Sequence, residues 1–377
     1  MKMKISTMTY ILFMFLVMLN YGFDNLNIPK GYGNTSIHDA IFVLSMFAAL
    51  MCLISRKYAC KKFVVVVVFL SIGAVCYIKG GNTNLFILLF AVMLIDKTDI
   101  DTVLKLIFTE RLIIFSVIVL GALVGVFAND KEIVEKGAYS VSAFTLGYEH
   151  PNSFASQAGF LMLLYLTIHR YSLNYWITML VFLLNLIIFI FAKSRISFVL
   201  TLLVLLGIWI LKSKKFKRVW KTCAPIFYPC LMIFMFVTIG LKDILGFEHP
   251  IFVFINDGLF NGRVGLASMY LKTYSLSLFG ESLDISIIAR NTYYALDNGY
   301  IYILMYYGIV GFLMFAMIYQ GTMMHLLKKE EYVLSFICAV SMIWGLYEGM
   351  MISLAGNFAL LFWGAMLSNH KFDRKRC

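Results

Sequence analysis

Apolar residues in this chain fall in long uninterrupted runs separated by short polar links. That pattern is neither the strict alternation of a half-buried strand nor the one-sided stripe of a soluble amphipathic helix. Leu112–Ala128, Trp176–Ala192, Ile196–Leu211 and Tyr300–Tyr319 contain no charged residue. A run of about 18 or more apolar residues can cross a bilayer, and lipid leaves open backbone groups no partner, so each run is predicted to be a helix. The pattern predicts about twelve spans, near residues 5–21, 38–54, 63–78, 84–96, 111–128, 153–168, 175–192, 196–211, 223–241, 298–319, 332–347 and 352–368. The expected fold is an all-α integral membrane protein, a single polytopic domain over residues 1–377. Two links on one side are long, about 129–152 and 242–297, and the second makes a large loop late in the chain.

Composition agrees. The chain is 61% hydrophobic and 14% charged, against roughly 45–50% and about 25% in a soluble domain. A net charge of +12 raises the thought of nucleic acid. The basic residues lie in short links between apolar runs, however, so nucleic acid is excluded and topology explains them. An even number of spans puts both termini on one side. With the termini cytoplasmic, the inner segments hold 22 of the 32 Lys and Arg, including the groups within 56–62, 97–111, 212–221 and 371–376. That is the side the positive-inside rule selects. The seven cysteines and six histidines show no metal-type spacing, and no cysteine falls in an outer segment. Neither a metal nor a disulfide framework is expected, and no cofactor.

Basic residues left on the outer side run against that bias and need a reason. Arg195 sits at the junction of the seventh and eighth spans. Its planar fork suits phosphate oxygens, although an anchor that snorkels to the headgroups is an equal explanation. Arg263 follows Asn261-Gly262 and precedes Leu266, Met269, Tyr270 and Tyr274 at helical spacing. This predicts a loop helix on the outer surface whose first amides and Arg263 form an anion site, or else an ordinary salt bridge. Asp297-Asn298 opens the tenth span, either as a helix cap or with Asp297 as a general base. Glu149 and His150, just before the sixth span, are a candidate acid/base pair, though a loop histidine is more often incidental. Arginines, carboxylates and aromatics (Tyr148, Tyr274, Tyr293, Tyr294) thus gather on the outer face, a mixture that suits a diphosphate carrying sugars. No strongly charged residue is expected in the middle of the spans, where a coupled transporter usually has some.

Four short motifs in this order and on this side carry a resemblance: Glu149-His150-Pro151-Asn152, Ser194-Arg195, Asn261-Gly262-Arg263 opening a loop helix that runs to Leu278-Phe279-Gly280, and Asp297-Asn298-Gly299-Tyr300. With the twelve-span plan and late outer loop, the chain resembles the bacterial O-antigen and capsule repeat-unit polymerases (Wzy-type), in the superfamily that includes the O-antigen ligases. The resemblance implies a GT-C-like, metal-independent glycosyltransferase in the bacterial plasma membrane. Its substrates would be undecaprenyl-diphosphate-linked oligosaccharides, joined block by block on the outer face during capsule or exopolysaccharide biosynthesis. A flippase and a chain-length regulator are its expected companions. Arg195 and Arg263 would grip diphosphate, with Arg290 in reach and Asn298 and Tyr300 alongside. The base would be Asp297 or His150, with Glu149 beside the latter. Ligases tend to carry a His-Asn pair where this chain has Asp297-Asn298, which favours polymerase. The rival readings are a ligase, a lipid-linked oligosaccharide flippase and a non-catalytic partner in envelope assembly.

Overall fold

The computed structural model describes residues 4–23, 34–95, 100–135, 140–284, 296–349 and 353–367. The first helices are α1 (Ile5–Phe23), α2 (Asn34–Ile54), α3 (Cys60–Gly80), α4 (Asn84–Met93) and α5 (Ile100–Leu123). A two-stranded antiparallel hairpin, β1 (Lys131–Glu135) and β2 (Ser140–Phe144), pairs Lys131 with Phe144 and lies in the first long link. Then follow α6 (Pro151–Ile168), α7 (Tyr175–Ala192), α8 (Arg195–Ile210) and α9 (Lys214–Leu245). The late link holds α10 (Pro250–Val253), a π-helical turn Phe254–Leu259 and α11 (Arg263–Thr273). The chain ends with α12 (Gly299–Tyr306), α13 (Gly308–Lys328), α14 (Tyr332–Trp344), a 3-10 turn Phe358–Leu360 and α15 (Leu361–Leu367).

Seven of these helices, α1, α2, α3, α5, α7, α9 and α13, are long and apolar enough to cross a bilayer. Trp176, Ile54 and Ile244 stand exposed on helix surfaces, which is unremarkable only against lipid. The chain is an all-α, multi-pass membrane protein. Short links join α6 to α7, α8 to α9 and α13 to α14, and they meet at one end of the bundle. That end carries Arg170, Lys212, Lys217 and their neighbours and is called the basic end below. The opposite end holds Gly81, Lys193 and the hairpin.

Several boundaries differ from the sequence expectation, each for a local reason. The tenth span, expected over 298–319, is broken at Tyr307, and the long crossing helix is α13. Gly308 has φ +69, a left-handed value that interrupts the helix. The peptide groups freed there are taken by the late loop. Ile309 N donates to Ser277 O and Val310 N to Leu278 O, both at 3.0 Å, and Glu281 N donates to Met305 O at 3.2 Å. Gly280, φ +83, fits only because it lacks a side chain: a Cβ would overlap the Tyr306 carbonyl. Hence Leu278-Phe279-Gly280 does not end the loop helix, which stops at Thr273, but seals the break.

The fifth helix starts at Ile100 and not near 111, so Lys105 and Arg111 lie within it and not in a loop. The ninth helix runs through Pro225 and Pro229. Pro229 has no N–H for the carbonyl of Pro225, and Gln320 Nε2 from α13 donates to that carbonyl at 2.8 Å instead. The expected eleventh span, α14, ends at Trp344, and the described residues 345–349 and 353–357 are largely irregular before the short closing helix.

Candidate functional site

Two consecutive left-handed residues, Asn261 (φ +51) and Gly262 (φ +84), turn the chain into α11 so that Arg263 is its first residue. The start of α11 is capped from a distance. Asn256 Oδ1 accepts from Gly265 N at 2.6 Å, and Asn256 O accepts from Gly262 N at 2.7 Å. The Phe260 ring stacks on Tyr347 with centroids 4.9 Å apart, which docks this turn on the irregular chain after α14.

Arg263 is then fixed from three sides. Its Nε donates to Tyr347 O at 2.8 Å, and its Nη2 stands 3.0 Å from Asp297 Oδ2 and 4.0 Å from Glu348 Oε1. The three side chains are only 12, 14 and 17% exposed. Among the described residues one guanidinium faces two carboxylates. The cluster also lies below the far surface of the bundle. Its platform α14 has 13 residues, about 20 Å of rise against a hydrocarbon core of about 30 Å. The Trp344 ring at the end of α14 packs over Gly159, more than two turns inside α6 from Pro151.

The other predicted residues take separate places. Asn298 is the cap of α12: its Oδ1 accepts from Tyr300 N at 3.2 Å and Ile301 N at 3.1 Å. Asp297 is thereby left out of the cap. Tyr300 is 1% exposed and its hydroxyl donates to Met342 O at 2.7 Å, so both Asn298 and Tyr300 hold the fold and are turned away from any ligand. His150 caps α6, its Nδ1 accepting from Asn152 N at 3.1 Å. Its Nε2 lies 3.7 Å from Glu132 Oε2 in the hairpin. The neutral ring therefore carries its proton on Nε2, and its acceptor nitrogen is spent on the backbone, a poor arrangement for a base. Burial, with Asp130 adding to it, pushes the Glu132 carboxyl up from its usual range. Glu149 is exposed. Arg195 is the exposed first residue of α8, where Lys193 (φ +53) and buried Ser194 make the turn from α7. Arg290, Tyr293 and Tyr294 lie outside the described residues. Among the described residues, no group of His, Cys, Asp and Glu is arranged to hold a metal ion.

Sequence reasoning missed two features. Glu348 sits in a short link that gave no signal beyond being an acid. The other is a charged pair inside the bundle, where none was expected. Glu110 and Arg111, midway along α5, are 7 and 4% exposed. Arg111 Nη2 donates to Gln157 Oε1 and, at 3.4 Å, to Ala355 O, a carbonyl of the irregular segment after α14. Both carboxylate oxygens of Glu110 are buried without a hydrogen-bond partner. The signal was a Glu-Arg pair flush against an apolar run, which reads as a loop edge when the run is taken to start at Arg111.

Compared with models of known protein families, with curated proteins and with solved structures, the chain matches none.

Proposed function

We propose that the protein is a polysaccharide polymerase that joins polyprenyl-diphosphate-linked oligosaccharides on the outer face of a bacterial plasma membrane. In this reading the chain crosses the membrane twelve times with cytoplasmic termini, in a GT-C-like arrangement, and the basic end faces the cytoplasm. The observation that supports it best is the meeting of Arg263, Asp297 and Glu348, all largely buried, where the late loop packs on the chain after α14. With its guanidinium engaged by the Tyr347 carbonyl, Asp297 and Glu348, Arg263 takes a different part from gripping diphosphate alone. It holds the Asp297 carboxylate toward an acceptor sugar hydroxyl, and Asp297 takes the hydroxyl proton as the new glycosidic bond forms. The bond from the donor sugar to the lipid diphosphate breaks, and the diphosphate leaves with the electron pair. Its charge falls to Arg195, the exposed first residue of α8, with Arg290 as the sequence's other outer candidate. Sizing glycans from a strain without the gene tests the reading. Single repeat units on the outer face with no polymer are expected. Long polymer stranded on its lipid carrier would mean a ligase.

A second reading, a transporter of lipid-linked oligosaccharide, is favoured by one observation, the buried Glu110–Arg111 pair. Charges inside a bundle commonly mark substrate or proton paths. Single repeat units trapped on the cytoplasmic face of the same strain would select it.

A further inference from the structure

A cavity of about 440 Å³ opens at the basic end, far from the Arg263 cluster. It lies where the links between α6 and α7, α8 and α9, and α13 and α14 converge, and its inner wall is apolar, with Leu173, Ile208, Leu211 and Val333. Its size falls within the range of small-molecule sites. The charges around it sort into two groups. Arg170 is committed to the fold: Nη1 is 3.0 Å from Asp101, Nε is 3.8 Å from Glu331, and the guanidinium lies 4.5 Å from the Tyr171 ring centroid. Glu331 is engaged again by the Tyr171 hydroxyl, which donates to it at 2.5 Å. Burial first, and then this hydrogen bond, push the Tyr171 hydroxyl up to about 12, so it remains a donor.

Lys212 and Lys217 at the mouth are the second group. Among the described residues neither is paired with a carboxylate. Lys212 Nζ lies 3.5 Å from the Trp209 ring centroid, and Lys217 Nζ lies 5.9 Å from that of Tyr332. Aromatic faces thus hold two ammonium groups beside an apolar-walled opening. Lys214, Lys215, Arg218 and Lys221 add to the positive field around it. Glu330, at the rim in a left-handed turn (φ +58), offers an acceptor for a hydroxyl or ammonium group.

We propose that this cavity is a binding site for a phosphate group, received between Lys212 and Lys217, with the apolar wall taking the chain of a phospholipid whose headgroup supplies it. A soluble phosphate would meet the same two lysines without using the wall. The site is independent of the catalytic reading above. Basic pockets between helices at a cytoplasmic headgroup layer suit such ligands.

The test uses the full-length protein in a mild detergent. Native mass spectrometry is titrated with phosphatidylglycerol and, separately, with inorganic phosphate. The double variant Lys212→Gln/Lys217→Gln should hold phosphatidylglycerol on the order of tenfold more weakly, while Lys193→Gln at the opposite end matches wild type. Leu211→Trp, which fills the wall, should weaken lipid but not inorganic phosphate. Amine-reactive labelling of the wild-type protein supplies a readout that needs no variant: bound lipid should slow modification of Lys212 and Lys217. Protection by inorganic phosphate alone would keep the site and assign it a soluble ligand. Equal lipid binding in the double variant and wild type, or no protection of the two lysines by either probe, would overturn the proposal.

Discussion

Arg263 Nη2 and Asp297 Oδ2 stand 3.0 Å apart, joining the first residue of a loop helix to the residue just before the α12 cap. Because Arg263 Nε is bound at the same time to the Tyr347 carbonyl, the guanidinium fork is used on two sides. A lysine ammonium cannot reproduce that. Arg263→Ala is expected to lower polymer synthesis by about 10²–10³-fold at normal protein level, and Arg263→Lys to rescue little of it. Membrane vesicles supplied with lipid-linked repeat units, followed by glycan sizing, make the measurement. Full-length polymer from Arg263→Ala would remove this residue from the mechanism.

The two carboxylates beside Arg263 are distinguishable. Asp297 is closer and is not used by the α12 cap, which Asn298 supplies alone. Asp297→Asn keeps the size of the side chain and removes the base, so a loss of about 10²-fold or more is expected in the same assay. Glu348→Gln should cost less than Asp297→Asn. If the order is reversed, the base is Glu348 and Asp297 serves to hold the arginine.

Gly280 and Gly246 make a matched pair for the broken span. Both have positive φ, +83 and +84, but only a Cβ at Gly280 would meet other atoms, the Tyr306 backbone among them. Gly246→Ala should cost about 1–3 kcal/mol, the strain alone of a positive-φ extended backbone that is nearly reserved to glycine. Gly280→Ala should cost more and lower both yield and thermal stability, because Leu278 could no longer reach Val310 across the break. Equal melting temperatures for the two variants would show that the loop does not seal the break.

This break also marks the limit of what the sequence could show. The helices were legible because lipid demands long apolar runs, and the bounds predicted near 175–192 and 196–211 match those of α7 and α8 almost to the residue. Tyr300–Tyr319 looked like one more run because nothing charged interrupts it. Its division at Gly308 depends on a loop segment far away in sequence, which no local pattern reports. The same holds for the candidate site. Arg263 and Asp297 stood out singly as an outer cation and an outer acid, but their pairing, and the part of Glu348, arise from the irregular chain after Trp344. Arg111 read as the edge of a loop because the helix that contains it begins in a mixed polar and apolar stretch.

Glu110 separates the two functional readings. Its carboxyl oxygens lack hydrogen-bond partners, and burying polar atoms without them is costly. Glu110→Gln should therefore leave folding unharmed or raise the melting temperature. Under the polymerase reading it also leaves polymer length unchanged. Loss of glycan export in that variant, with the protein folded and abundant, would favour the transporter reading instead. Arg111→Met should be harmful to folding under either reading, since it strips the donor from both Gln157 and the Ala355 carbonyl.

Orientation is the assumption on which the site chemistry depends most, and it can be tested without any glycan. Asp130 opens the hairpin end of the bundle and Lys215 lies in the first turn of α9 at the basic end. In a chain whose own cysteines are replaced by serine or alanine, Asp130→Cys should react with a membrane-impermeant maleimide in intact cells. Lys215→Cys should react only after the membrane is opened. The positive-inside rule requires this result, since the 212–221 stretch holds the densest group of Lys and Arg in the described chain. The opposite labelling would turn the cluster of Arg263, Asp297 and Glu348 toward the cytoplasm. A transfer between lipid-linked glycans on the outer face would then have no site, and the arginine–carboxylate cluster would have to act on a cytoplasmic substrate.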